Sequence, residues 1–86
     1  MNEKMRKRTQ DALEFLEQAV DLDNFISWSK ATALLAQEFG WSAKTASNRI
    51  HELIGLGALE RSGNFERPTP RAPGGIDNRK IRRAKQ

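Results

Sequence analysis

Polar and cationic side chains recur along one side of residues 42–57. The other side is an apolar helical stripe at i, i+4, i+7 and i+8, formed by Ala46, Ile50, Leu53 and Ile54. The polar front carries Lys44, Asn48, His51 and Glu52, with Thr45 and Arg49 on its flank. Such a helix suits insertion into a DNA groove, because these groups can bond base edges and phosphates. An ordinary amphipathic helix with a solvated outer face has the same pattern, so the neighbouring segments must decide.

Within this stretch, Lys44, Asn48 and Arg49 are the candidates for contacts with base edges or adjacent phosphates. Asparagine pairs bidentately with adenine and arginine with guanine. Arg49 lies nearer the apolar stripe, so a bridge to Glu52 or Glu60 is its alternative role. Hydroxyl groups near the helix start can donate to phosphate, where the helix N-terminus also favours an anion; they belong to Ser42, Thr45 and Ser47.

The remaining composition offers no catalytic constellation. The chain has one histidine, no cysteine and no tyrosine, and its acids lack a partner base at motif spacing. Gly74 and Gly75 are not followed by the Lys-Ser/Thr of a phosphate-cradling loop. Without cysteine there is no disulfide and no Cys-ligated metal, and one histidine gives a metal too few ligands. The sequence therefore predicts a protein that is not an enzyme and uses no metal or cofactor.

Basic residues are concentrated toward the two ends of the chain. Residues 1–10 carry four cations and one acid, residues 11–60 three cations and eight acids, and residues 61–86 eight cations and two acids. Basic arms around an acidic body are expected of a protein that holds a polyanion. Basic ends that serve only solubility are the alternative.

The length and hydropathy bound the class of protein. Eighty-six residues, of which 37% are apolar, predict one small domain with a small core. No apolar segment follows the basic start of the chain as in a signal peptide, and no apolar run is long enough to span a bilayer. We therefore expect a cytoplasmic, nucleoid-associated protein without a membrane partner.

Two further helices are predicted before residue 42. Residues 4–20 form the first, with a wide apolar face. Residues 30–39 form the second, with Ser29 as N-cap, or Ser27 as the second choice, and Gly40 at its end. A turn of about three residues then leads to the helix at 42–57, for which Ser42 is the N-cap and Gly57 the terminating residue. This arrangement is typical of a helix-turn-helix, in which the second helix reads DNA, although an αα-hairpin has the same pattern.

A small β-hairpin is predicted directly after this helix. Residues 58–61 read as a strand, residues 62–64 as its turn, and residues 65–67 as the returning strand, which Pro68 stops. We expect Leu59 and Phe65 to point inward. The outward groups available to a ligand are then Arg61, Asn64 and Arg67.

These segments resemble the winged helix-turn-helix domains of bacterial and viral regulators, in particular the MarR- and Lrp-like groups. The resemblance covers about residues 10–67 and is carried by Leu35-Ala36, Phe39-Gly40-Trp41-Ser42, Thr45-Ala46-Ser47, Arg49-Ile50, Leu53, Gly57 and Leu59-Glu60-Arg61. It implies a mainly α fold of three helices plus a wing, with the reader helix in the major groove and the wing on the minor groove or the backbone. The chain lacks the effector domain and the long dimerisation helices of the larger regulators.

Residues 68–86 are predicted to be a basic tail separate from the domain at residues 1–67. Three prolines and a Gly-Gly pair argue against regular structure, so we expect the tail to be disordered when free. It would order along phosphates or in a minor groove, or remain solvated without contacts. Its candidate phosphate contacts are Arg71, Arg79, Lys80, Arg82 and Arg83.

The sequence thus predicts a small protein that binds double-stranded DNA with sequence preference, as a transcriptional regulator or another accessory factor of a DNA transaction. The alternative is a winged-helix adaptor that binds a protein in a transcription or replication assembly, through exposed Trp28, Trp41 or Phe15. A homodimer through the first helix is compatible with Phe15 and Leu22, although both can equally be core residues.

Overall fold

The computed structural model describes residues 6–84. Residues 4 and 5 of the expected first helix, and residues 85 and 86 of the expected tail, lie outside this range. The helices are α1 (Lys7–Ala19), α2 (Trp28–Phe39) and α3 (Ala43–Gly55). The strands are β1 (Ile26–Ser27), β2 (Leu59–Ser62), β3 (Phe65–Glu66), β4 (Ile76–Asp77) and β5 (Lys80–Arg83). Three helices combined with a small antiparallel sheet confirm the coarse fold class predicted from the sequence.

One hydrophobic core joins the helices to the sheet. Each helix turns an apolar stripe inward, formed by Ala12 and Leu16, by Trp28, Ala31 and Leu35, and by Ala46, Ile50 and Leu53. Leu59 of β2 and Ile81 of β5 close the core from the sheet side. The buried face of α3 leaves its opposite side exposed to solvent.

The ends of α3 follow local sequence rules. The Ser42 side-chain oxygen accepts the Thr45 backbone N–H at 3.1 Å, which confirms the predicted N-cap. Gly57 has φ +82°, the left-handed conformation that terminates a helix. For α2, however, the N-cap is Ser27 and not Ser29, since the Ser27 Oγ accepts the Lys30 N–H at 3.0 Å. Ser27 ends β1 with an extended backbone, so that helical geometry already begins at Trp28.

The strands form a long two-stranded ribbon whose base is part of the main sheet. β5 lies between β1 and β2 and is antiparallel to both, with Ile81 opposite Ile26 on one side and Arg61 on the other. Farther out, β3 pairs with β4. The chain reverses at residues 69–72, where Thr69 and Ala72 exchange backbone hydrogen bonds of 3.0 Å. Residues 64–78 are called the distal ribbon below.

The predicted turn at residues 62–64 was wrong. β3 continues the path of β2 outward and pairs with β4, and does not return along β2. Gly63 has φ +83° as a turn glycine would, but it serves a close approach of two strands: an added Cβ would lie 2.1 Å from the Asn78 carbonyl oxygen. Phe65 is consequently 49% exposed instead of pointing into the core, whereas Leu59 is buried as predicted.

The predicted disorder of the tail was also wrong over residues 68–84. β5 is the central strand of the main sheet, and its Ile81 side chain is fully buried. The sheet joins β2 and β5, which lie on opposite sides of the boundary expected at residues 67 and 68. The prolines and glycines that suggested disorder lie in and around the chain reversal at residues 69–72, where Pro70 stands in the tight turn.

Substitution of Gly63 by alanine should destabilise the protein, because the added Cβ meets the Asn78 backbone and the positive φ is strained for alanine. We expect the free energy of unfolding in urea to fall by roughly 1–3 kcal/mol. Gly74→Ala is the matched control, since Gly74 lies in open space with an ordinary φ. Equal effects of the two substitutions would contradict this assignment of Gly63.

Candidate nucleic-acid interface

α3 presents one row of polar side chains to solvent. Lys44, Asn48 and His51 are exposed and spaced i, i+4 and i+7, so they share one face of the helix. The opposite face is fixed in the core by Ala46 and Ile50. The row therefore combines an ammonium, an amide and an imidazole on a rigid element, and the three side chains are exposed to solvent.

Arg49, the third candidate for base edges, pairs with an acidic residue of its own helix. Its side chain is only 16% exposed, and its Nη1 lies 3.5 Å from Oε1 of Glu52. The same Glu52 oxygen accepts a 2.7 Å hydrogen bond from the buried Thr9 hydroxyl. Of the two roles open for Arg49, the geometry favours the bridge to Glu52 within α3. Glu52 in turn accepts from Thr9 of α1 and so links the two helices.

The three hydroxyl candidates of α3 are engaged within the protein. Ser42 caps the helix, and its hydroxyl donates to the Thr45 Oγ1 at 3.1 Å. Ser47 accepts the indole N–H of Trp28 at 3.2 Å and is half-buried. Ser42 is exposed at the helix start, whereas Ser47 is half-buried with its hydroxyl on Trp28.

Trp28 joins α3 to the ribbon. Its ring lies 4.8 Å from the His51 ring, measured between centroids, and the Arg79 guanidinium carbon lies 4.2 Å from its centroid. The Trp28 backbone N–H also donates to the Arg79 carbonyl oxygen at 2.9 Å. Trp28 is only 2% exposed, so its assignment to an exposed protein-binding surface was wrong.

Arg79 also forms a two-pronged ion pair with Asp77. The Nε–Oδ1 and Nη2–Oδ2 distances are 2.9 Å and 3.0 Å. The hydrogen bonds from the Arg79 side chain hold the pKa of Asp77 below its ordinary value, against the opposing effect of burial. Because Arg79 additionally faces the Phe65 ring at 5.8 Å, its guanidinium is enclosed by Trp28, Asp77 and Phe65.

Two other arginines of β5 are held by acids. Arg82 bonds Glu60 through Nε at 2.9 Å and lies over the Phe25 ring at 4.3 Å. Arg83 contacts Asp23 and approaches Glu17 at 3.7 Å, on the acidic side of α1. These two predicted phosphate contacts therefore serve the packing of the sheet and helix.

The other predicted cations are exposed and take part in no ion pair within residues 6–84. They are Lys44, Arg61, Arg67, Arg71 and Lys80. Arg61 lies on the α3 side of the sheet, because it is two residues after buried Leu59 on the same strand and stands opposite Ile81. Lys80 lies on the other side. Arg71 stands in the turn at the ribbon tip, while Asn64, expected at the tip, lies at the base of the distal ribbon.

Contacts along one path connect the α3 row to the distal ribbon. His51 meets Trp28, Trp28 meets Arg79, and Arg79 faces Phe65. From the sequence alone, His51 lies on the polar front but is not a candidate DNA contact. Trp28 is expected on an exposed protein-binding surface, and Phe65 is expected to point into the core. Only the helical spacing could have identified His51, whereas the Trp28–Arg79 contact joins distant parts of the sequence and leaves no local signal.

Comparison with protein-family models, curated proteins and solved structures gave no match for this chain. None of the helices between residues 6 and 84 is long and apolar enough to cross a membrane. A functional interpretation therefore rests on the geometry and charge of the α3 row and the ribbon.

The ion pair of Asp77 predicts a pH dependence of stability. Its pKa is lower in the folded chain than in the unfolded chain, so the unfolded chain takes up the proton first as the pH falls. The stability contributed by Asp77 is present above the ordinary carboxyl pKa of about 3.9 and is lost as the pH falls through the lowered folded value. In urea unfolding from pH 7 to pH 2, the excess in free energy of unfolding of wild type over Asp77→Asn should shrink as the pH falls.

The double-substitution cycle with Arg79→Gln provides the control for this prediction. In the Arg79→Gln background, Asp77→Asn should produce a much smaller pH-dependent difference, because the main cause of the lowered pKa is gone. The same pH-dependent difference in both backgrounds would show that another group stabilises the Asp77 carboxylate.

Proposed function

We propose that this protein binds double-stranded DNA with sequence preference, as a small winged helix-turn-helix protein. In this proposal α3 enters the major groove, and the ribbon is the wing. The observation that carries the proposal is the row of Lys44, Asn48 and His51 on α3, together with the distal ribbon, whose Arg67 and Arg71 are exposed and have no acidic partner within residues 6–84.

Base recognition is assigned to the α3 row. An α-helix fits the major groove, where each base pair presents a distinct set of donors and acceptors. The Asn48 amide can donate to and accept from the edge of one adenine. Lys44 and His51 lie on either side of it along the same face, so they can reach neighbouring bases or phosphates.

Affinity that does not depend on sequence is assigned mainly to the ribbon. Arg61, Arg67 and Arg71 follow it from base to tip and can neutralise phosphates. Glu17 of α1 lies close to Arg83 and is not among these phosphate contacts. The cellular role that fits such a protein is transcriptional regulation or another DNA transaction.

A protein-binding adaptor is the second candidate, and one observation favours it. Phe15, Phe39 and Trp41 form a half-buried aromatic cluster, with ring centroids 5.8 Å and 4.5 Å apart. Aromatic side chains that keep exposed area are enriched in protein interfaces. This cluster would serve either a partner in a nucleoprotein assembly or a second copy of the chain.

Selection of bound duplexes from a random DNA pool tests the proposal. We expect wild type to enrich a defined motif and Asn48→Ala to lose or change it. Lys7→Ala, which removes an exposed cation from α1, should enrich the wild-type motif. A palindromic motif would indicate a dimer on DNA. Absence of any enrichment by folded wild type at low salt would overturn DNA reading and favour the adaptor.

A further inference from the structure

The distal ribbon is connected to the main sheet by few backbone contacts. Between the β2–β5 and β3–β4 ladders, residues 63 and 64 face residues 78 and 79. Within this gap the Asn78 N–H donates to the Asn64 carbonyl oxygen at 3.1 Å. Gly63 has no side chain to pack between the strands. Backbone pairing alone therefore leaves the direction of the distal ribbon weakly determined.

Side chains around Arg79 supply the missing constraint. Its guanidinium lies on the Trp28 ring, forms two bonds with Asp77 of β4, and faces Phe65 of β3. One planar group thus touches both strands of the distal ribbon and the body of the protein. Trp28 in turn is tied to α3 through the Ser47 hydroxyl and the His51 ring.

We propose that Arg79 is a positioning residue that fixes the distal ribbon relative to α3 through Trp28. Resting on the proposed DNA binding, this arrangement sets the spacing on the duplex between the contacts of α3 and those of Arg67 and Arg71. Arg79 itself contributes no phosphate contact, because Trp28, Asp77 and Phe65 already enclose its guanidinium.

Nuclear magnetic relaxation of the free protein tests the positioning role without DNA. In Arg79→Lys and Arg79→Gln, we expect lower backbone order in residues 64–78 than in wild type, with α3 unchanged. Lysine keeps the charge but lacks the planar fork that bonds Asp77 twice. Arg82→Gln is the matched control, because Arg82 pairs with Glu60 on the opposite side of the sheet and should leave the distal ribbon unchanged.

Binding to duplexes that each carry one neutral methylphosphonate tests the consequence on DNA. Such a duplex lacks one phosphate charge, so binding weakens only where a cation is held against that phosphate. We expect wild type to lose about threefold in affinity at the few backbone positions that Arg67 and Arg71 reach, and little elsewhere. Arg79→Lys should lose less at those positions and more at their neighbours, because its ribbon is not held in one direction, whereas Arg82→Gln should show the wild-type positions.

The outcomes separate this inference from the proposed function. If folded wild type binds no duplex, DNA binding fails, and the relaxation measurement still decides whether Arg79 orders the ribbon. If wild type binds DNA but Arg79→Lys keeps wild-type ribbon order and the wild-type pattern of sensitive phosphate positions, the positioning role is overturned. Arg79 would then act as a simple cation that lysine can replace.

Discussion

A chain truncated after Pro68 will not fold. The truncation removes β5, which is hydrogen-bonded to β1 on one side and to β2 on the other. It also removes Ile81 from the core, where the side chain is fully buried. Buried backbone groups left without partners and the lost apolar contacts both oppose folding of so small a domain. Circular dichroism and an amide NMR spectrum should show loss of cooperative structure; a well-dispersed spectrum would contradict the central position of β5.

The single substitution Ile81→Ala should reproduce part of this effect. Deleting most of a fully buried isoleucine side chain is expected to lower the free energy of unfolding by about 2–5 kcal/mol. This is a large share of the roughly 5–15 kcal/mol that stabilises a typical domain. Ile76→Ala is the matched control, because Ile76 is 44% exposed in the distal ribbon and should cost about 0.5 kcal/mol or less. Similar losses in urea unfolding for the two variants would contradict the burial of Ile81.

Asn48→Ala should remove most of the sequence preference. A bidentate contact between a side chain and a base contributes about 1–3 kcal/mol of discrimination, or roughly 5- to 150-fold in relative affinity. The measurement is the ratio of dissociation constants for the selected duplex and a scrambled one. Lys44→Ala should weaken binding as well, because it removes an exposed cation from the same row.

Stability and a charge-matched control separate this prediction from a folding defect. Asn48 and Lys44 are exposed, so their substitutions should change the free energy of unfolding by no more than about 0.5 kcal/mol. Lys7→Ala removes one positive charge, as Lys44→Ala does, but from α1. It should keep the preference for the selected duplex. An Asn48→Ala protein with unchanged preference would remove α3 from base recognition.

The helices could be predicted because their signals are local. The stripe of Ala46, Ile50 and Leu53, the Ser42 cap and the left-handed Gly57 all act within a few residues of one another. The same local rules placed Lys44 and Asn48 on the exposed face of α3. These features follow from helical spacing and need no knowledge of the remaining chain.

The pairing of the strands and the ion pairs of the β5 arginines could not be predicted in this way. Gly63 has a turn-like conformation. Whether it forms a turn or allows two strands to approach closely depends on Asn78, which lies far along the chain. The composition of residues 68–86 suggested disorder, and only the pairing of β5 with β1 and β2 shows why residues 80–83 form a strand. Arg83 is neutralised by Asp23 of a distant segment, so its charge could not be assigned from neighbours in sequence.

Equilibrium binding to the selected duplex over a range of salt concentrations tests the central claim most directly. Each neutralised phosphate contributes about −0.9 to the slope of log affinity against log salt. With the four cations Lys44, Arg61, Arg67 and Arg71 on phosphates, the slope should be about −3.6. A slope near zero, or no duplex binding by folded protein at low salt, would contradict recognition of DNA by α3 and the ribbon.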